Sequence, residues 1–230
     1  NDVLFAVPRS LHIGFETALA DPLCGNQFKE DGYALGALCA FIVKQHLCGE
    51  SQFGPYVDSL NFDRSATDVL HWTAEEMELL ECSGAAFTEA EKLRDDVEDL
   101  IGYALNLEPL RQCVREASGI NDEDELDESI AEAIISAHAS LLSRSFGVPG
   151  ASSPQARELI PLLDALQHGI DGPTICHDTE MVEGLGPCTV ARARQPIAAG
   201  DELWNWYGDH PDFVFATQFG FVPSAAADPE

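Results

Sequence analysis

Hydrophobic and polar residues in the first part of the chain predict a strand followed by a buried helix. The apolar run at residues 3–7 is typical of a β-strand, which Pro8 ends. Apolar residues then recur at helical spacing over residues 31–47, which predicts a helix with a buried face. A short apolar segment follows at residues 56–60.

The middle of the chain is patterned as helices. Two residue pairs have the spacing of a capping box, in which a threonine and a glutamate three positions later bond to each other's backbone at a helix start. These pairs are Thr73 with Glu76 and Thr88 with Glu91. The acidic run at residues 121–128 predicts the start of a third helix over residues 126–144, because carboxylates stabilise the positive end of the helix dipole.

From Glu158 onward, short apolar segments are separated by glycine and proline, after a predicted loop at residues 147–154. Two strands paired through a turn are expected first, then an aromatic strand and a short helix. These elements cover residues 174–182 with 188–193, 202–207 and 209–218. Strand-rich segments therefore flank a helical middle, which predicts an α+β fold rather than a βαβ sheet.

Charge narrows the possible functions. The chain has 40 acidic and 12 basic residues, a net charge of −28, while its hydrophobic fraction of 45% is typical of a globular protein. Phosphate backbones would be repelled, so we expect no direct binding to nucleic acid, whereas a basic protein or peptide would be attracted. No apolar run approaches the roughly 20 residues that cross a bilayer, so no membrane partner is expected.

Cysteines and glycines do not form a known catalytic or metal-binding motif. The seven cysteines are odd in number and none has C-x-x-C spacing, which favours a reducing, intracellular compartment and predicts no metal site. No G-x-S-x-G elbow and no phosphate-binding loop is present. The Gly184-Leu185-Gly186 segment indicates a hairpin turn rather than a dinucleotide loop, because no helix follows it.

Two residues are candidates for chemistry, because each follows an apolar run and precedes a glycine. His168 ends the run that begins at Leu159, and Tyr207 ends an aromatic segment before Gly208. Taken singly, a buried histidine or tyrosine is more often structural, with its polar atoms hydrogen-bonded. Their order along the chain and their neighbours give the pair more weight.

Several segments together resemble the SET-domain protein methyltransferases, in particular the subgroup of the Rubisco large-subunit lysine methyltransferase and the actin-histidine methyltransferase. The segments are SRSF at 143–146, LIPLLDALQH at 159–168, GDELWNWYG at 200–208 and FGFV at 219–222. Weaker similarities are VPRSL at 7–11, FGPYVDSL at 53–60 and HWTAEEMELL at 71–80. The resemblance covers nearly the whole chain.

This resemblance implies an α+β fold in which a helical insertion interrupts a β-rich SET core. Residues 1–64 and 148–230 would form the two parts of the core, and residues 65–147 the insertion. The two C-terminal motifs would form a pseudoknot, in which one segment threads beneath a loop made by the other and brings His168 to Tyr207. The family's glycine-rich strand would precede Asn1, and its helical substrate domain would follow Glu230.

The resemblance also implies methyl transfer from S-adenosyl-L-methionine to a side-chain nitrogen of a protein. Tyr207 would be the catalytic residue, beside the reacting methyl group. The implied cofactor contacts are Arg144, Asp164, Gln167, His168 and Phe219. Ser143, Phe146 and Tyr207 would line the channel for the acceptor side chain.

Two positions depart from the family pattern and motivate an alternative. Gln167 stands where relatives have asparagine, and Phe219 stands where most have tyrosine. A catalytically silent SET-like protein-binding module would tolerate both changes. Protein-histidine methyl transfer is a further alternative, because a neutral imidazole needs no large pKa shift. The leading expectation is a monomeric protein-lysine N-methyltransferase that acts on a basic histone or non-histone protein in the cytoplasm, with the nucleus or a plastid as alternative compartments.

Overall fold

The computed structural model describes residues 2–49, 51–60, 62, 68–148 and 156–223. The helices in these ranges are α1 (Phe15–Ala20), α2 (Pro22–Asp31), α3 (Ala34–Leu47), α4 (Gly54–Val57), α5 (Ala74–Glu78), α6 (Gly84–Leu105), α7 (Glu108–Ser118), α8 (Glu123–Arg144) and α9 (Asp212–Val214). The strands are β1 (Val3–Pro8), β2 (Ile13–Gly14), β3 (Phe146–Gly147), β4 (Arg157–Leu159), β5 (Gln167–His168), β6 (Ile175–Val182), β7 (Gly186–Ala193) and β8 (Trp204–Asn205). Short 3₁₀ turns lie at Arg9–Leu11 and Val69–His71, and a π-helical turn lies at Phe215–Phe219.

The described strands form three small sheets. β7 lies between β1 and β6 and pairs antiparallel with both. β4 lies between β2 and β3, also antiparallel. β5 pairs parallel with β8, so that Gln167 lies opposite Trp204 and His168 opposite Asn205. Strands from both ends of the chain therefore pair with each other, and the helices from α5 to α8 are inserted between them.

The larger hydrophobic core lies among α3, α6 and α8. α3 is buried along most of its length, because its sequence ALGALCAFIVKQHL has almost no polar face. α6 and α8 each contribute one apolar stripe at helical spacing. These stripes are Leu93, Val97 and Leu100 on α6, and Ile130, Ile134 and Ala137 on α8.

A second, smaller core lies beneath the β1–β7–β6 sheet. Its buried members are Val7, Ile160, Leu163, Ile175 and Ala191. Two of them belong to the segment between β4 and β5. This packing fixes the chain immediately before the β5 strand that carries His168.

The α+β fold predicted from the sequence is confirmed in its main features. The strand at residues 3–7 and the hairpin of β6 and β7 form as expected. The predicted buried helix begins at Ala34, three residues later than expected, because Gly32 in the left-handed conformation (φ 70°) ends α2 first.

One predicted capping box is confirmed and the other is wrong. The Thr73 amide donates to Glu76 Oε2 at 2.7 Å, and the Glu76 amide donates to Thr73 Oγ1 at 3.2 Å. Thr88 instead lies within α6, which begins at Gly84 after Ser83. α6 starts one turn earlier because Ala86 is buried and Phe87 packs against the core.

The C-terminal segments are shorter or more irregular than the sequence predicts. In the 202–207 segment only the two residues of β8 form strand pairs, and their partners are the two residues of β5. The predicted helix over residues 209–218 begins after Pro211 and continues as the π-helical turn.

Residues 149–154 of the predicted loop lie outside the described residues, as does the predicted domain boundary at residues 64–65, so the division into three segments stays a prediction. Within the described ranges, no helix has the length and hydrophobicity to span a bilayer.

Two helical glycines test the packing between α3 and α6. A Cβ at Gly36 would lie 2.5 Å from Tyr33 Cδ1 and 2.7 Å from Tyr103 Cε1, whereas a Cβ at Gly102 meets nothing within 4 Å. We expect Gly36→Ala to lower the free energy of unfolding by about 1–3 kcal/mol through overpacking. Gly102→Ala should raise it by about 0.5–1 kcal/mol through helix propensity. Urea denaturation measures both, and equal effects would contradict this packing.

His138 makes stability depend on pH. Its side chain is buried in α8, neither ring nitrogen has a hydrogen-bond partner among the described residues, and burial lowers its pKa to about 4. Between pH 4 and 6.5 the unfolded chain therefore binds more protons there, so stability is lost as pH falls. Compared with His138→Gln, the wild type should lose about 3 kcal/mol more between pH 7 and 4 in urea denaturation. Parallel curves would contradict this expectation.

Candidate functional site

The site forms where two distant segments lie side by side. β5 and β8 are parallel neighbours, and the Gly169 amide donates to the Asn205 carbonyl at 2.9 Å just beyond their pairing. The Trp204 amide donates to Thr174 Oγ1 at 2.8 Å, which holds the other side of β8. A Cβ at Gly169 would lie 2.8 Å from Trp204 Cβ, so this close approach requires glycine. The residues after β5 and β8 are therefore held at one place.

Tyr207 is fixed by two hydrogen bonds to the β5 segment. Its hydroxyl donates to the Leu166 carbonyl at 2.7 Å, and its amide donates to His168 Nδ1 at 3.2 Å. Because the phenolic proton is directed at Leu166, the oxygen lone pairs stay available as acceptors for a cationic group. Burial raises the pKa of Tyr207, and the nearby Arg144 lowers it less, so the phenol is neutral at physiological pH.

His168 is buried and enclosed by aromatic rings. Its ring centroid lies 4.7 Å from Trp206, 5.3 Å from Tyr207 and 5.0 Å from Phe215. Since Nδ1 accepts the Tyr207 amide proton, the neutral ring carries its own proton on Nε2. Burial lowers the pKa of His168, as does the neighbouring His210, which keeps this tautomer neutral. The imidazole therefore positions Tyr207.

A cavity of about 230 Å³ opens beside Tyr207. Its walls contain all but two of the site residues predicted from the sequence. These are Ser143, Arg144, Phe146, Asp164, Tyr207 and Phe219. Phe219 stacks on Tyr207 with centroids 5.2 Å apart. The cavity thus combines two guanidinium groups, of Arg144 and Arg157, with one carboxylate, one phenol and several aromatic faces.

The two remaining predicted residues lie at the edge of this arrangement. His168 contacts Tyr207 and also lines a second cavity of about 400 Å³, formed with the 169–174 loop and Trp204. Gln167 has an exposed side chain and takes part in the site through its backbone pairing with Trp204. The structure therefore pairs the Gln167 backbone with Trp204 but does not place its side chain in the cavity wall.

Asp164 is the buried carboxylate of the cavity. The Tyr56 hydroxyl donates to Asp164 Oδ2 at 2.7 Å, and Arg144 Nη1 lies 3.7 Å from the same oxygen. Burial raises the pKa of Asp164, while the Tyr56 hydrogen bond and the Arg144 charge oppose the increase. Burial and the adjacent carboxylate also raise the pKa of Tyr56, which stays protonated as the donor. A strained turn precedes Asp164, because Leu162 has a φ of 70°.

Sequence reasoning missed several residues of the site, among them Arg157 and Trp206 in the cavity wall. Tyr56 is 108 positions from Asp164, and its quoted motif gave no indication of the contact. His210 lines the cavity and its Nε2 lies 3.1 Å from the Tyr207 carbonyl oxygen. Gln218 also lines it. The sequence carried no signal for His210; the structure shows that Gly208, two residues before it, has a φ of 117° and that a Cβ there would lie 2.8 Å from His210 Nε2.

The sequence matches no family model and no curated protein, but the structure is similar to solved SET domains. The SET domain of LSMT bound to lysine and AdoHcy superimposes with a TM-score of 0.75 at 17% sequence identity, covering 96% of this chain and 48% of that chain. Rubisco LSMT bound to AdoMet gives 0.71 at 20% identity, covering 96% and 47%. Rubisco LSMT bound to sinefungin and monomethyllysine gives 0.72 at 17% identity, covering 96% and 47%.

These similarities show the fold. The chain has the SET-domain fold, as the sequence resemblance implied, and spans about half the length of the solved chains that it matches. The threading of the C-terminal pseudoknot stays a prediction, although the β5–β8 pairing joins its two segments.

Removing the Tyr56 hydrogen bond tests the electrostatics of the cavity. Tyr56→Phe removes a donor that lowers the pKa of Asp164, so that pKa should rise further above its ordinary 3.8. The folded protein then binds the Asp164 proton over a wider range, and stability falls with rising pH through that range. Carbon-13 NMR titration of Asp164 measures the shift, with Tyr33→Phe as the control. An unchanged Asp164 titration would contradict the contact.

Proposed function

We propose that this chain transfers a methyl group from S-adenosylmethionine to a lysine side chain of a basic protein. The observation that carries the proposal is the position of Tyr207. Its hydroxyl is held by Leu166 in a cavity that also contains Arg144 and Asp164. The SET-domain fold supports the proposal, because solved structures of that fold are bound to AdoMet, or to AdoHcy with lysine.

The cavity residues fit the cofactor in chemical type. The Arg144 guanidinium is partly exposed and has donors beyond its contact with Asp164, so it can hold the carboxylate of the cofactor. Tyr207 and Phe219 present stacked aromatic faces, which favour a cationic sulfonium. When bound, S-adenosylmethionine would supply a methyl group made electrophilic by that sulfonium. We assign Phe146 and Ser143 to the walls of the acceptor channel.

Tyr207 would act through its oxygen. Its proton is already donated to Leu166, so the lone pairs can stabilise positive charge on the methyl group and the acceptor nitrogen without reorganisation. His168 fixes the Tyr207 backbone, and therefore the position of that oxygen. Methyl transfer by displacement depends mainly on alignment, which such a doubly anchored phenol provides.

The acceptor lysine must reach the cavity as the neutral amine. Its reference pKa is about 10.4, and aromatic walls that exclude water disfavour the ammonium form. Phe146 and Phe219, both half-buried, and the more exposed Trp206 contribute aromatic faces to the cavity wall. Asp164 would favour a cation, but burial raises its pKa and its charge is shared with Tyr56 and Arg144. The apolar surroundings thus favour the neutral, reactive amine, and Asp164 opposes this less because Tyr56 and Arg144 already share its charge.

Tyr207→Phe tests the proposal. Removing the hydroxyl should lower methyl transfer by about 10²–10³-fold, because one preorganised oxygen is lost. Incorporation of labelled methyl from S-adenosylmethionine into a library of lysine-rich peptides measures the rate. Tyr33→Phe, outside the cavity, is the matched control and should keep wild-type activity. Equal rates for the wild type and Tyr207→Phe would contradict the role of Tyr207.

The same assay separates the alternatives. Mass spectrometry that places the methyl group on histidine would replace lysine as the acceptor. Retained cofactor binding with no transfer to any peptide would favour the silent binding module. The exposed Gln167 side chain makes that module a specific alternative, because no cavity contact of this residue supports cofactor recognition.

A further inference from the structure

A groove of about 480 Å³ lies between α5 and the first half of α6, apart from the Tyr207 cavity. Met77 and Phe87 form its apolar floor. Carboxylates line its walls, and all of them are exposed. These are Glu78, Glu81, Glu91, Asp95 and Glu98. The groove is therefore an open channel bordered by negative charge, with a small apolar floor in which Met77 is only 8% exposed.

Helical spacing explains how the groove forms. On α6, Phe87, Glu91, Asp95 and Glu98 follow one another at intervals of three or four residues, so they share one face. Met77 and Glu78 end α5, and Glu81 lies in the turn after it. Both groups of residues line the same groove. The apolar stripe of α6 that faces the core, with Leu93 and Val97, is a different face.

The carboxylates of the groove have no cationic partner among the residues described in the structure. This differs from α7 and the start of α8, where Arg111 and Arg115 form ion pairs with Glu108 and Glu123. Like charges at neighbouring helical positions repel each other by a few tenths of a kcal/mol per pair, about 0.2–0.5 kcal/mol. A basic ligand would remove that repulsion.

Arg94 also lines the groove, but its charge is used elsewhere. Its Nη1 donates to the Trp72 carbonyl at 2.7 Å and to the Val69 carbonyl at 3.5 Å. These bonds hold the 3₁₀ turn against α6. The guanidinium is consequently directed at backbone oxygens rather than at the carboxylates.

The groove and the Tyr207 cavity lie on different sides of α6. Gln218, in the cavity wall, donates from Nε2 to Glu89 Oε1 on α6 at 2.8 Å. Glu91, in the groove, is two residues further along the same helix, so its side chain points to the nearly opposite face. The groove is therefore a surface separate from the Tyr207 cavity.

We infer that the groove binds a basic segment of a partner protein, with apolar side chains against Met77 and Phe87 and lysine or arginine side chains against the carboxylates. Charge complementarity selects this occupant, since the floor is apolar and the walls are anionic. The identification of the partner as the methyl acceptor rests on the proposed function. The groove would then select the substrate, apart from the chemistry at Tyr207.

Peptide binding tests the inference. The probe is a fluorescein-labelled peptide of about 15 residues, enough for about four helical turns, with leucine at every third or fourth position and lysine or arginine between. A second peptide of the same charge has glutamine in place of each leucine. Fluorescence anisotropy at about 0.15 M ionic strength, without cofactor, gives Kd while limiting long-range charge effects.

Two triple variants of the protein distinguish binding at the groove from attraction by the overall charge. Glu81→Gln/Glu91→Gln/Glu98→Gln should raise Kd about tenfold or more, because the charges bordering the floor are lost. Glu30→Gln/Glu183→Gln/Glu202→Gln removes the same charge at exposed positions elsewhere and should change Kd less than about twofold. The glutamine peptide should bind the wild type more weakly than the leucine peptide. Circular dichroism checks that both triple variants are folded.

Several results would overturn the inference. Equal weakening by the two triple variants would mean attraction by net charge alone. Equal affinity for the two peptides would mean that the apolar floor is not used. Groove-dependent binding without methyl transfer by the same protein would support the groove and contradict the proposed function, so the two claims fail separately.

Discussion

The parallel pairing of β5 with β8 is the constraint on which the site depends. Each strand is only two residues long, so their backbone pairing alone is a weak restraint. The bonds from Tyr207 to Leu166 and to His168 extend it beyond the strands. Rings around His168 bury its imidazole, so these partly buried bonds are shielded in part from water. Tyr207 is held by the same interactions that join the two segments.

Asp164 provides the second connection, between the strand-rich part and the helices. Tyr56 follows α3, and Arg144 ends α8, yet both contact the Asp164 carboxylate. A buried carboxylate needs such partners, since removing one leaves an uncompensated charge. The end of α8 therefore lies beside the β5 segment. The insertion positions Arg144, Ser143 and Phe146 at the cavity in this way.

Local sequence patterns predicted the elements that are stabilised by residues close to each other in the sequence. Examples are the β6–β7 hairpin, the Thr73 capping box and α8, whose first turn is acidic. The pattern misplaced the start of α6, because threonine and glutamate at capping spacing also occur inside a helix when tertiary burial extends it by a turn. The contact of Tyr56 with Asp164 has no local signal, because it depends on packing between segments far apart in sequence.

The site was predictable mainly through its resemblance to a family, and less through the chemistry of single residues. The motifs indicated Arg144, Asp164, Tyr207 and Phe219, which share one cavity. They also indicated Gln167, but its side chain is exposed to solvent. A motif position specifies where the backbone lies better than it specifies the direction of the side chain. His210, which belongs to none of these motifs, is identified only by its place in the cavity wall and its contact with the Tyr207 carbonyl.

The central claim is that the cavity beside Tyr207 holds the methyl donor. A crystal structure of the protein grown with S-adenosylhomocysteine tests it most directly. We expect ligand density in that cavity, with the amino-acid carboxylate at Arg144 and the sulfur facing the Tyr207 oxygen. An empty cavity at saturating ligand, or ligand bound elsewhere with Tyr207 distant from its sulfur, would contradict it.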